Sequence, residues 1–114
     1  MITAYIDFKS LDCFLAISPI LELADDCETP VSWKPYRSTE RALPTQVANE
    51  SITQTHHRVR AESERRLQQH YARLRGLDID PSRGQIDTSA ALGWLANLEG
   101  DTSSFVSRLF TAHW

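Results

Sequence analysis

The sequence has few cysteines and no long apolar run. Its two cysteines, Cys13 and Cys27, lie at opposite ends of one predicted helix, about 21 Å apart at 1.5 Å per residue, so they cannot form a disulfide within that helix. This use of cysteine suits a reducing compartment. No apolar run is long enough to span a membrane, and the N-terminus lacks a basic start and carries Asp7 too early for a signal peptide. We therefore expect a cytoplasmic chain with no membrane partner.

Basic residues are outnumbered in the chain as a whole but concentrated in one segment. The 114 residues carry a formal net charge of −3, which argues against a nucleic-acid partner, and the 41% apolar content is ordinary for a globular domain. The simplest interpretation of the basic segment is a solvated helix face that pairs with the acidic first half. The alternative is a small binder that uses this Arg-rich helix. Its arginines are Arg58, Arg60, Arg65, Arg66, Arg73 and Arg75.

Hydrophobic patterning predicts a β-α-β start followed by three further helices. Because a strand, helix, strand unit of this length closes into a parallel pair, we expect the two strands to be parallel. The first helix is apolar nearly all round, so it should be buried on more than one side and kinked at Pro19. The second helix has a thin apolar side, so it should pack as a peripheral layer. The predicted strands cover 2–8 and 31–36, and the predicted helices cover 11–26, 51–75, 88–98 and 105–114, with loops at 37–49 and 77–86.

Ser10 and Cys13 lie at the junction between the first strand and the first helix. The N-terminus of a helix presents unpaired N–H groups and a partial positive charge, which stabilise a thiolate. If Ser10 is the N-cap, its hydroxyl and the Cys13 thiol can face one bound group, which is the layout of a thiol-handling site. The simpler alternatives are a plain cap for Ser10 and a small buried apolar role for Cys13, since the Asp12 charge opposes a thiolate. A Ser-x-x-Cys pair cannot cycle as a dithiol.

The segment Asp7-Phe8-Lys9-Ser10, the apolar helix at 14–23 and the strand at 31–37 together resemble the start of DsbA-like thioredoxin-fold proteins. The nearest branch is that of 2-hydroxychromene-2-carboxylate isomerase and kappa-class glutathione transferase, in which the motif is roughly Asp-Phe-x-Ser-Pro-x-Ser/Ala-Tyr. The resemblance implies an α/β chain with an incomplete thioredoxin-like fold. Residues 1–50 would form its N-terminal β-α-β part and residues 51–114 a helical insertion domain, and the C-terminal thioredoxin strands would be absent.

The resemblance also implies a function. Ser10 matches the serine that contacts the glutathione sulfur in the family, and we assign it the catalytic role. A glutathione thiolate would add to an unsaturated organic acid and then leave, which gives isomerisation, or remain, which gives conjugation. Truncation would impair this oxidoreductase- or isomerase-type activity, and the alternative is a non-catalytic remnant or oligomerising module. The candidate residues for binding glutathione or the substrate are Lys9, Asp12, Cys13, Tyr36 and Arg37.

The remaining expectations concern metals, charges and assembly. The histidines do not show the spacing of zinc ligands, so we expect no metal. Asp7 is expected either to orient glutathione or, more simply, to be a solvated charge, and Trp33 and Trp94 are expected to be core aromatics. Two strands are too few for an independent sheet, and Phe110 and Trp114 are apolar near the end. We therefore expect either a homo-oligomer that completes the sheet or covers the helices, or a marginally stable fragment.

Overall fold

The computed structural model describes residues 1–39 and 44–114, and the loop expected at 37–49 lies partly outside them. Within these residues the chain forms two strands, four α-helices and a short 3-10 helix at Pro81–Gln85. None of the helices that the structure describes is both long and apolar enough to cross a bilayer. The regular elements are β1 (Ile2–Ile6), α1 (Leu11–Asp26), β2 (Val31–Pro35), α2 (Ile52–Leu74), α3 (Ser89–Asn97) and α4 (Ser103–His113).

The two strands are parallel, as predicted. Their register pairs Ile2 with Val31 and Ile6 with Pro35, and α1 connects them along the chain. β1 ends two residues earlier than the alternating pattern predicts because the chain turns at Asp7, whose carbonyl accepts a hydrogen bond from the Ser10 amide at 3.1 Å. The chain is therefore a mixed α/β protein with a parallel β-α-β unit.

The chain divides into two compact units. The first contains Met1–Glu40 and Asp80–Trp114, and the second contains Arg41–Ile79. The sequence interpretation grouped all residues after position 50 as one helical domain, whereas here α3 and α4 belong with the β-α-β unit and contact β2. The physical reason is that α3 and α4 each carry apolar residues that cover the sheet. These include Leu92, Leu95, Val106 and Phe110.

Aromatic residues join α4 to the sheet and to α1 in the first unit. The Phe110 ring lies 4.9 Å from that of Phe8 and 5.9 Å from that of Phe14, measured between ring centroids. Phe110 is only 1% exposed, and the half-buried Trp114 donates from Nε1 to the Phe8 carbonyl at 3.0 Å. Burying a phenylalanine contributes about 1.5–3 kcal/mol. The two residues expected to remain uncovered are thus covered within the chain, so they give no reason to expect a homo-oligomer.

Two further expectations about packing were wrong. α1 buries one stripe rather than several sides: only Ile17 and Ala24 are fully buried among its residues, and Leu23 is exposed. Trp33 is in the core as expected, and its Nε1 donates to Ser103 Oγ at 2.9 Å. Trp94, in contrast, is 67% exposed on the outer face of α3. The apolar composition of a helix indicates burial but does not tell which side is covered.

The second unit consists mainly of α2, whose bounds agree with the predicted helix, for which the sequence offers Ser51 or Thr53 as the N-cap. Ser51 caps its N-terminus in a reciprocal capping box with Gln54, and Gly76 follows its C-terminus with a φ of +67°, a conformation that suits glycine. Arg58 pairs with Glu50 at 2.9 Å and with Glu62 at 3.2 Å. The Arg58 and Thr55 hydrogen bonds hold the pKa of Glu50 below its ordinary value.

Candidate functional site

The candidate site lies at the edge of the sheet where both strands end. The carboxyl ends of parallel strands meet at the same edge, where α/β proteins commonly bind ligands. Lys9 and Ser10 follow β1, and Tyr36 and Arg37 follow β2. The Tyr36 amide donates to the Ile6 carbonyl at 2.8 Å, so the pairing of the two segments continues past the end of β2. The fold thus brings the two predicted groups of site residues to one edge.

A buried aspartate organises this edge. Asp7 is 0% exposed. Its Oδ2 accepts from the amide and the hydroxyl of Ser38 at 2.8 and 3.0 Å, and its Oδ1 accepts from the Lys9 amide at 3.3 Å. The hydroxyl of Thr88, immediately before α3, also donates to Oδ1. One carboxylate therefore connects the segments that follow β1 and β2 with the start of α3.

These hydrogen bonds keep Asp7 ionised. Burial alone would raise the pKa of its carboxyl, but the hydrogen bonds from Thr88, Ser38 and Lys9 outweigh this effect, and the net pKa lies below the ordinary value. No cation forms an ion pair with Asp7 within the described part of the chain. The expectation of a solvated charge was wrong because four donors take the place of water around the carboxylate.

Ser10 is the N-cap of α1, and its hydroxyl is only partly used by the fold. Its Oγ accepts from the Cys13 amide at 3.4 Å, a long hydrogen bond. Its own O–H hydrogen has no acceptor in residues 1–39 and 44–114. Ser10 is half-buried. The plain cap is therefore present, and the hydroxyl can still donate to a bound group.

Cys13 lies in the first turn of α1, beside the hydrophobic core. It carries a free thiol, is half-buried and packs against the hydrophobic core of the first unit. Cys27 is also free, is exposed and follows the other end of α1. The two cysteines are thus not joined in a disulfide, and the packing of Cys13 fits the expected small apolar role.

Two cations lie near the acidic start of α3. Arg37 Nη2 donates to Ser89 Oγ at 3.0 Å, and this hydroxyl donates to Asp87 Oδ1 at 2.6 Å. The hydroxyl and the amide of Ser89 lower the pKa of Asp87, and the charges of Arg37 and Lys9 lower it further. Both cations are therefore close enough to Asp87 to affect its titration. The Lys9 ammonium forms no ion pair with the residues that the structure describes.

The other two predicted site residues are exposed. Tyr36 carries a largely exposed ring at the end of β2. Asp12 lies in the first turn of α1, where a carboxylate is favoured by the helix dipole. Neither makes a hydrogen bond to Ser10 in the described residues.

Sequence reasoning missed Ser38 and Thr88 as parts of this site. The sequence pattern offers Asp87 or Thr88 as the cap of this helix, but the Thr88 hydroxyl makes no capping hydrogen bond and donates to Asp7 instead. Ser38 lies in a polar loop with no local signal. Asp7 is separated from Ser38 by 31 residues and from Thr88 by 81, so no local pattern could link them.

No metal centre is formed by the residues described, since no three His, Cys, Asp or Glu side chains converge among them. The site is therefore built from hydroxyls, backbone amides and two cations around a buried carboxylate.

Comparison with protein-family models, with curated proteins and with solved structures finds no match to this chain. The resemblance to the DsbA-like proteins thus rests on the sequence motifs alone.

Proposed function

We propose that the first unit binds a small anionic thiol of the glutathione type at the edge formed by the segments after β1 and β2. The observation that carries the proposal is the Ser10 hydroxyl. It lies at the N-terminus of α1 and has a hydrogen that no described residue accepts. A thiolate there would receive this hydrogen and would be favoured by the partial positive charge of the helix end.

The cations at this edge support the same ligand class. Glutathione carries two carboxylates, and arginine binds such groups with its planar fork of donors. Arg37 is exposed and uses Nη2 to donate to Ser89, which leaves further donors on its guanidinium for a ligand. Lys9 supplies a second cation near Asp87. Asp12 and Tyr36 would contribute a carboxylate for the ligand amine and a ring for packing.

The reaction that we propose is thiol addition to an unsaturated organic acid. The thiolate sulfur forms a bond to the β-carbon and the electron pair moves toward the acid carbonyl. Expulsion of the thiolate after rotation about the former double bond gives isomerisation, and protonation of the α-carbon gives conjugation. Cys13 takes no part, because it packs against the core. In this proposal the β-α-β unit is the N-terminal part of a thioredoxin-like fold.

Calorimetric titration of the full chain with glutathione tests the proposal. Ser10→Asp is the decisive variant because aspartate caps helices as well as serine does but has no hydroxyl hydrogen and repels a thiolate. We expect the parent chain to bind, and Ser10→Asp and Ser10→Ala to lose binding. Ser51→Ala is the matched control, since Ser51 is the N-cap serine of α2 and lies outside the proposed site.

A second ligand separates thiol recognition from simple charge attraction. S-methylglutathione keeps both carboxylates but has no thiolate. If it binds as tightly as glutathione, then Ser10 does not contact the thiol and the proposed role is wrong. If neither ligand binds, Ser10 is only a helix cap, and the first unit is a non-catalytic module.

A further inference from the structure

The helix α2 leaves its apolar residues exposed. Four of them, which we call the α2 stripe, follow one another at intervals of seven, eight and seven residues and are 47% to 78% exposed. At 3.6 residues per turn they fall within about 80° of one another and extend over about 33 Å of the helix. The α2 stripe consists of Ile52, Val59, Leu67 and Leu74.

The buried residue of α2 and its most buried ion pair lie on the opposite side of the helix. Ala72 is the one residue of α2 that is fully buried, and Arg58 on that side pairs with Glu50 and Glu62. The expectation that the apolar side would pack as a layer was therefore wrong. A helix in a globular domain usually covers its apolar stripe and exposes its arginines. In α2 the apolar stripe is exposed as well, which indicates a surface for a partner.

The charges beside the α2 stripe indicate the chemistry of that partner. Arg66 and Arg73 lie seven residues apart along one border of the stripe, and both are exposed. Neither forms an ion pair with a residue in the described ranges. On the other border, Arg60 is paired with Glu64 at 3.2 Å. The surface is therefore an apolar line with two exposed arginines along one side.

Two other occupants fit this surface less well. If a second copy of the chain packed its own α2 stripe against this one in the antiparallel direction, the arginines Arg66 and Arg73 of the two copies would face each other. Like charges repel, so this arrangement is disfavoured. A bilayer favours a broad apolar face with tryptophan or phenylalanine. The α2 stripe is only one side chain wide, contains neither residue type and is interrupted by His56 and His70 on the same face.

We propose that the α2 stripe binds an acidic amphipathic helix of a protein partner. The apolar side chains of the partner would pack between the four stripe residues, and its carboxylates would face Arg66 and Arg73. This inference concerns the second unit alone and does not depend on glutathione binding by the first.

The test uses two synthetic 22-residue helical peptides with the same leucine stripe. One carries glutamate and the other lysine at the positions that flank the stripe, and binding to the full chain is measured by fluorescence anisotropy at two salt concentrations. We expect the glutamate peptide to bind more tightly than the lysine peptide by at least about tenfold, and to weaken with salt. Equal binding of both peptides, or no binding of the glutamate peptide, would overturn the proposal.

Matched variants assign the binding to the stripe. Leu67→Ser should weaken binding of the glutamate peptide by about tenfold or more, as loss of a central apolar anchor does. Leu23→Ser is the control, because Leu23 on α1 has the same 53% exposure as Leu67. The double variant Arg66→Glu with Arg73→Glu reverses the charge beside the stripe, so it should bind the lysine peptide more tightly than the glutamate peptide. An effect of Leu23→Ser equal to that of Leu67→Ser would refute the assignment.

Two further measurements exclude the other occupants. Light scattering reports whether Leu67→Ser changes the molar mass, which would assign the stripe to a second copy and overturn the proposal. Sedimentation with vesicles that contain phosphatidylserine reports bilayer binding. If the parent chain binds the vesicles, Leu67→Ser does not, and the glutamate peptide does not bind, then the α2 stripe binds a membrane surface and the proposal is wrong.

Discussion

Asp7→Ala should destabilise the first unit strongly. The substitution removes the acceptor of four donors, namely the Lys9 amide, the amide and hydroxyl of Ser38 and the Thr88 hydroxyl. A hydrogen bond to a charged group contributes about 1.5–3 kcal/mol, and a buried donor left without a partner costs about 1–3 kcal/mol. The removed charge also no longer has to be buried, which offsets part of this loss. We expect a net loss of about 3–5 kcal/mol in the free energy of unfolding.

Urea denaturation monitored by tryptophan fluorescence, to which the buried Trp33 contributes, measures this loss. Asp80→Ala is the matched control because Asp80 also accepts from a serine amide and a serine hydroxyl, both of Ser82, but does so on the surface. The control should change the unfolding midpoint far less. If Asp7→Ala were no more destabilising than Asp80→Ala, the four hydrogen bonds would not stabilise the fold and the reasoning would be refuted.

The pH dependence gives an independent check on the charge of Asp7. Its pKa in the folded chain lies below the ordinary value of 3.8, so the unfolded chain binds the proton more tightly. The stability that this carboxylate contributes is therefore complete above pH 3.8 and is lost as the pH falls through the lower folded pKa. The difference in stability between the parent chain and Asp7→Ala should be constant near neutral pH and shrink in strong acid. A difference that grows on acidification would contradict an ionised Asp7.

Three further substitutions probe the core and the glycines. Phe110→Ala should lower the free energy of unfolding by about 3–5 kcal/mol, because it leaves a cavity beside Phe8 and Phe14. Differential scanning calorimetry measures this loss. A loss below about 1 kcal/mol would contradict the packing of Phe110 in the core. Gly76→Ala should destabilise by about 1 kcal/mol because Gly76 has a positive φ, whereas Gly93→Ala, in open space inside α3, should stabilise by about 0.5–1 kcal/mol. Equal shifts in the thermal midpoint of the two glycine variants would refute that distinction.

Local signals in the sequence were sufficient to place the start of α1 and the approximate ends of α2. Ser51 and Gly76 delimit α2 because a capping serine and a glycine with positive φ each act within a few residues. Ser10 starts α1 in the same way. The parallel pairing of β1 and β2 was also predictable, since a connection of this length with a helix cannot form a hairpin.

Long-range partners could not be predicted from the same patterns. The charge of Asp7 next to Lys9 indicates a solvated strand end, and only the folded chain supplies Ser38 and Thr88 as donors. In the same way, periodicity identifies the apolar side of α2 but does not tell whether anything covers it. A pattern reports which residues share a face, and burial depends on elements that are distant in the chain.

The position of Asp7 links the stability of the first unit to its proposed ligand site. The residues that donate hydrogen bonds to Asp7 either belong to the proposed binding site or lie next to it. Lys9 is itself a proposed binding residue, and Ser38 is next to Arg37 in the chain. Thr88 precedes Ser89, the residue to which Arg37 donates a hydrogen bond. An asparagine could not replace Asp7, because the side-chain amide nitrogen of asparagine is itself a donor and could not accept the hydrogen bonds that one of the Asp7 oxygens accepts. Loss of Asp7 should therefore release the cations from their present positions even in molecules that remain folded. Binding of the glutamate peptide to α2 should persist in the same variant, since none of these contacts involves the second unit.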